Sequence, residues 1–227
     1  MLPFNAAFSN ELSRVFKTPK VILFFIIDLL VIGAYILLKD YSAEIYVAVG
    51  PEFSIHAIFF MAVFPLFIFM KTMSIFADET SDETITNTLI RPIERVKVYL
   101  AKICAICVFI LAHILFVGLL MLKVPAFLIS FIPMIAFVFF AAFISQLVKS
   151  GSFGMLVCLL FLLASYAAQV FMPAASAFLF VRQISLYQLL LTSGTPLFSI
   201  FWAFFIIAAY IILTFAIGVF LFERKDF

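Results

Sequence analysis

Apolar positions in this chain come in long unbroken runs rather than in alternation. Runs at residues 21–38, 53–70, 99–122, 126–148, 153–172 and 200–222 are separated by short polar breaks. Each has about the 18 to 25 residues that an α-helix needs to cross roughly 30 Å of hydrocarbon at 1.5 Å per residue. The pattern predicts six transmembrane helices. Ten-residue segments of alternating polarity, the mark of a membrane β-barrel, are absent. Before the first run, Phe4, Ala7, Phe8, Leu12, Val15 and Phe16 recur mostly every three or four residues, with Asn5, Glu11, Arg14 and Lys17 between them. That spacing predicts an amphipathic helix lying along the membrane surface. The run after Pro19 is long enough to span and is followed by no small-residue cleavage site, so it reads as the first span and not as a signal peptide.

Composition agrees with the pattern. The 227 residues include 33 Phe, 67% are hydrophobic and only 11% charged, and the mean hydropathy is +1.30. The whole chain, 1–227, is expected to form one all-α integral membrane domain in the lipid bilayer. A net charge of +2 carries no signal for nucleic acid. The placement of the basic residues says more. With both termini inside, Arg14, Lys17, Lys20, Lys71, Arg91, Arg95, Lys97, Lys102, Lys149, Arg224 and Lys225 are cytoplasmic, and Lys39, Lys123 and Arg182 are outside. The excess follows the rule that cytoplasmic loops keep the positive charge.

Chemistry is sparse along the chain. Cys104 and Cys107 form a CxxC inside the third span and Cys158 lies in the fifth, without a second ligand pair in sequence, so packing is the simpler role. His56 and His113 each lack a neighbouring acid or nucleophile in sequence and read as packed or interfacial. The Ser and Gly of KSGSFG, 149–154, sit in a turn between spans and lack the strand-turn-helix setting of a nucleophile elbow. No GxxxxGK[ST] loop occurs, so the chain is not expected to bind ATP in that manner or to be an enzyme, and no cofactor is expected on it. One intramembrane acid stands out. Asp28 lies about 10 Å into the first span, seven rises of 1.5 Å, where a charge costs about 2.5 to 3.5 kcal/mol unless it faces a bundle interior, a partner or water. It is either a polar point in a pathway or inter-helix contact, or a structural partner of Lys102 or of Tyr and Thr hydroxyls.

Charge is instead gathered between the second and third spans, from Asp78 to Lys97. There Thr80-x-x-Glu83 fits a capping box, and Ile85 and Leu89, four apart, share one helical face. Pro92 disfavours helix at Arg91, limiting a helix to about 81–90. Such a helix is too short to stand alone and calls for a surface to pack on; otherwise the segment is a solvated loop on the headgroups.

The run Glu79, Thr84, Leu89, Arg91-Pro92-Ile93, Arg95 and Lys102 resembles the segment after the second span in membrane subunits of ABC-2 type exporters, with Glu83 where that family has Gly and Asn87 and Thr88 where it is apolar. NELSRVFK before the first span and the closing FERKDF are similar to the same family. The resemblance implies a permease subunit of the bacterial plasma membrane, paired with a second six-span subunit, identical or not, and with two separate ATPase subunits that carry ATP and magnesium. It makes 81–90 a cytoplasmic coupling helix in which Thr80, Glu83, Ile85, Leu89, Arg91, Pro92 and Arg95 meet the ATPase. It also makes the segment bounded by Pro173 and Pro196 a set of short extracellular re-entrant or interfacial helices; a surface loop is the alternative. The Phe-rich spans suit export of a hydrophobic or amphipathic cargo, a peptide or toxin among them. The competing readings are a non-transporting membrane anchor or immunity protein and, further off, an intramembrane enzyme.

The charge distribution generates a first prediction. In a variant lacking the native cysteines, Ser81→Cys is protected from an impermeant thiol reagent added to intact cells and Ser42→Cys is labelled. Labelling of position 81 from outside would reject this topology.

Overall fold

The computed structural model describes residues 2–38, 55–81, 94–191 and 196–224. These residues are almost wholly helical, and no strand occurs among them. Helix α1 (Leu2–Lys17) leads through a Thr18-Pro19 turn into α2 (Lys20–Leu38). The second span starts as α3 (Ile55–Ile58), passes through a π-helical turn (Phe59–Val63) and continues as α4 (Phe64–Ser81). Then come α5 (Arg95–Leu120), α6 (Val124–Leu147), α7 (Gly151–Phe171), the short α8 (Pro173–Ser176), a 3-10 turn (Phe180–Ser185), α9 (Leu186–Leu191) and α10 (Leu197–Arg224). Six stretches are long and apolar enough to cross a membrane: Lys20–Leu38, Ile55–Ala77, Arg95–Leu120, Val124–Leu147, Gly151–Phe171 and Leu197–Arg224. They coincide with the six runs within a few residues, except that the second reaches well past residue 70. This is a multi-pass, all-helical membrane protein.

The second, third and fourth spans form the core. Of their apolar stretches 67, 50 and 61% is buried, against 22% in the first, fifth and sixth. Helix α6 packs on α4, α5 and α10, and α1 packs along α5. Phenylalanine fills the interior: Phe59, Phe60, Phe64, Phe69, Phe109, Phe127, Phe137 and Phe180 are all below 2% exposed. Where α10 crosses α5 a β-carbon on Gly218 would run into the Tyr99 hydroxyl, so only glycine allows the approach.

Breaks between helices have local causes. Lys123 N–H donates to the Gly118 carbonyl at 3.0 Å and Leu122 N–H to that of Leu119 at 3.2 Å, closing α5 with the paired bonds of a Schellman end. Leu122 takes the left-handed position at φ 54°. The expected turn at KSGSFG is present, and Ser150 caps α7, accepting from Phe153 N–H at 3.4 Å. Between α7 and α10, Arg182 donates to the Pro173 carbonyl at 2.8 Å and to Ser176 Oγ at 3.1 Å. Phe180, Val181, Ile184 and Leu186 are buried, and the 3-10 turn and α9 lie against α6. Short helical pieces thus lie between the fifth and sixth spans, docked on the core.

The π turn follows from Pro65. Proline has no N–H and its ring clashes with the carbonyl four residues back, here that of Met61. The helix widens instead, with Phe64 N–H reaching the Phe59 carbonyl. The Met61 carbonyl is taken up by another span: Tyr166 Oη on α7 donates to it at 2.6 Å. A defect in one helix thus becomes a fastening point for a helix that is otherwise mostly exposed.

Tyr166→Phe, which leaves that carbonyl unsatisfied, should lower stability by about 1 to 3 kcal/mol, read as a drop in thermal unfolding temperature in detergent. In a Pro65→Ala background, where residue 65 regains its N–H, the same change should cost clearly less. Equal costs in both backgrounds would remove the link between the proline and the tyrosine.

Candidate functional site

Helix α2 carries one acid in its interior, and α5 presents its partner. Asp28 and His113 are each 0% exposed, and Asp28 Oδ2 lies 2.5 Å from His113 Nδ1 across 85 residues of sequence. The imidazole sits in a box of phenylalanine rings. Phe25 stacks on it at 4.1 Å between centroids, with Phe109 at 4.6 Å, Phe67 at 5.3 Å and Phe24 at 6.3 Å. Among the described residues Asp28 Oδ1 and His113 Nε2 find no hydrogen-bond partner. The expectation that Lys102, or a Tyr or Thr hydroxyl, serves Asp28 is corrected.

Lys102 has a different acid. Its ammonium lies 3.1 Å from Glu11 Oε1, with the two side chains 0% and 7% exposed, and 3.5 Å from the Ile75 carbonyl. Glu11 was grouped with the polar residues of the N-terminal helix, yet it is buried on the same face as Ala7 and Val15, while Asn5, Arg14 and Lys17 are exposed. A lysine inside α5 must find a counter-charge, and α1 supplies it.

The contacts fix the register of α2 against α5. Phe24 meets Phe109 and, four residues on in both helices, Asp28 meets His113, so the two run in the same direction. Asp28 is about 12 Å into α2 and His113 about 27 Å into α5 at 1.5 Å per residue. The first part of α5 therefore extends about 15 Å beyond the start of α2, and α1 packs along it through Glu11–Lys102 and Phe16–Phe109.

Of the proposed coupling residues, Glu83, Ile85, Leu89, Arg91 and Pro92 lie outside the described residues. Thr80 is in the last turn of α4, which continues helically to Ser81, so its backbone is not that of a residue outside a helix about to begin. Arg95 opens α5, and its Nη1 donates to the Glu223 carbonyl at the far end of α10 at 2.8 Å. Helix α4 thus ends at Ser81, and α5 is tied to α10 at Arg95 and to α1 seven residues on, at Lys102.

His56 is held by Ser130, 2.8 Å from its Nε2. Because Ser130 Oγ donates to the Ala126 carbonyl at 3.0 Å, it accepts from the histidine, which fixes the proton on Nε2. Cys104, Cys107 and Cys158 are free thiols, and no group of three or more metal-ligating residues occurs among the described residues. The Asp28–His113 pair can pass one proton between its two near atoms. Among the described residues no serine, threonine or cysteine is hydrogen-bonded to its Nε2.

Asp28→Leu, leaving the imidazole alone among Phe rings, should destabilise the protein by about 1 to 3 kcal/mol. Asp28→Leu with His113→Phe should recover most of that loss, because exchanging both partners for apolar groups leaves no orphan. Asp28→Asn keeps a hydrogen-bonding group at the contact and should be the mildest single change. Thermal unfolding in detergent separates these cases; a double variant as unstable as the sum of its single changes would show that the two side chains do not act together.

No curated protein matches the chain. A match to one sequence family extends over residues 22–227 and so takes in nearly all of α2 and every later helix, including both partners of the buried pair and the segment between α4 and α5. On that extent the chain belongs to the family described as Protein of unknown function (DUF2705).

Proposed function

We propose that this chain is the membrane-spanning permease subunit of an ATP-driven exporter of the ABC-2 type. It pairs with a second six-span subunit, and two separate ATPase subunits bind ATP and magnesium and hydrolyse the nucleotide. The observation that carries the reading is the run Glu79, Thr84, Leu89, Arg91-Pro92-Ile93, Arg95 and Lys102, placed where the second apolar helix hands over to the third. The cargo is hydrophobic or amphipathic, in keeping with spans rich in phenylalanine and poor in polar groups that could replace a hydration shell.

The mechanism follows the ties around that segment. ATP-driven closure of the ATPase pair displaces residues 82–93. At their exit Arg95 is bonded to the end of α10 and Lys102 to α1, so α1, α5 and α10 receive the displacement together. Helix α5 passes it to α2 through His113 and Asp28. The two arrangements of the bundle are the states of a switch that the nucleotide on the partner biases.

The test is co-purification. The wild-type chain should bring down an ATPase containing a phosphate-binding loop. Leu89→Asp, a charge in the apolar ridge of the coupling segment, should insert normally yet bind it about a hundredfold more weakly, equivalent to about 3 kcal/mol of a dry anchor. Thr80→Ala should weaken it far less. Equal recovery with all three chains, or no ATPase with any, would end the exporter reading.

A further inference from the structure

Lys71 is a buried cation that meets no anion among the described residues. It lies on α4 at 6% exposure, donates to Thr18 Oγ1 at 2.9 Å and stands 5.6 Å from the centre of the Phe109 ring. No carboxylate is within ion-pair distance of it among the described residues. The side-chain charges that act on it, Lys20 and Arg14, are of its own sign. An ammonium has three donors, and Thr18 takes one. With the like charges of Lys20 and Arg14 acting on it, the remaining donors favour an anion over a neutral acceptor from outside the chain.

The space for one is beside it. Lys71 borders a pocket of about 280 Å³ whose polar side also has Lys20, Ser74 and Ser152, and whose apolar side includes Phe24 and Met155. Gly151 and Ser152, also in its wall, are the first residues of α7. Their amides have no acceptor within the helix, and the positive end of the helix dipole favours negative charge there. Two ammonium groups, two hydroxyls and a helix start match a tetrahedral oxyanion better than a planar carboxylate, which a guanidinium fork would suit. The flanking helices present exposed Leu23 and Ile26 on α2 and Leu156 and Leu160 on α7, surfaces that acyl chains can cover.

We propose that the Lys71 pocket binds a phosphate group, the chemistry shared by an anionic phospholipid headgroup and inorganic phosphate. This site does not depend on the exporter reading, since it rests on the pocket alone.

Thermal unfolding of delipidated protein in phosphate-free detergent tests it, with dioleoyl phosphatidylglycerol, dioleoyl phosphatidylcholine or inorganic phosphate added in turn. The unfolding temperature should rise saturably with phosphatidylglycerol, as ligand binding to the folded state requires, and respond little to phosphatidylcholine, whose own ammonium offsets its phosphate. Lys71→Met should weaken the response about 10- to 100-fold, the loss of a charge-assisted contact. Lys71→Arg should keep it, and so should Lys123→Met, which alters an exposed lysine between α5 and α6. Without ligand, Lys71→Met should unfold no earlier than wild type, because it removes a charge that lacks its partner, so a weak response would not reflect poor folding. A saturable effect of inorganic phosphate equal to that of the lipid assigns the site to the free ion; an effect of the lipid alone assigns it to a headgroup. A Lys71→Met variant that responds like wild type, or a wild type that responds to neither, overturns the proposal.

Discussion

In an apolar bundle a polar side chain has no water to fall back on, and its demand for a partner becomes a demand on the arrangement of helices. Helix α5 carries two such side chains, eleven residues apart, and each selects a different neighbour. Lys102 draws in Glu11 and with it α1; His113 draws in Asp28 and with it α2. Apolar contacts among Phe, Ile and Leu are numerous but interchangeable, because many registers bury similar area. The two polar contacts distinguish one register from its competitors, at the cost of an orphaned oxygen on each acid.

The outer helices are held by the same logic. Helix α7 is mostly exposed, yet its Tyr166 reaches the one carbonyl that Pro65 releases in the second span. Arg182 folds the segment after α7 around the Pro173 carbonyl and Ser176. Tyr166 makes one directed bond and Arg182 two, set against a core of α4, α5 and α6 that is far more deeply packed. The result is a well-buried centre with peripheral helices attached at points.

The six spans were legible because each is a long apolar run whose length alone identifies it, and boundaries at Pro19, Ser150 and Pro173 agree with local turn chemistry. The second span was underestimated at its end: Lys71 and Thr72 looked like the start of a loop, but both are buried in the continuing helix. Partners were harder to read. Asp28 was conspicuous as a lone acid in a greasy stretch, whereas His113, 85 residues away, could be matched to it only by knowing that α5 starts about 15 Å before α2. Glu11 looked solvated because of its charge, although its four-residue spacing from Ala7 and Val15 puts it on the buried face of the helix; nothing local reveals that a lysine on another helix claims it. Periodicity reports which face a residue shares, not what that face meets.

The position of His113 along α5 has a mechanical consequence. It lies eighteen residues from Arg95 and seven from Leu120, so arms of about 27 Å and 10 Å extend to either side at 1.5 Å per residue. The Asp28 contact therefore divides α5 unequally: any tilt of the helix about it displaces the Arg95 end about two and a half times as far as the Leu120 end, in proportion to the arms.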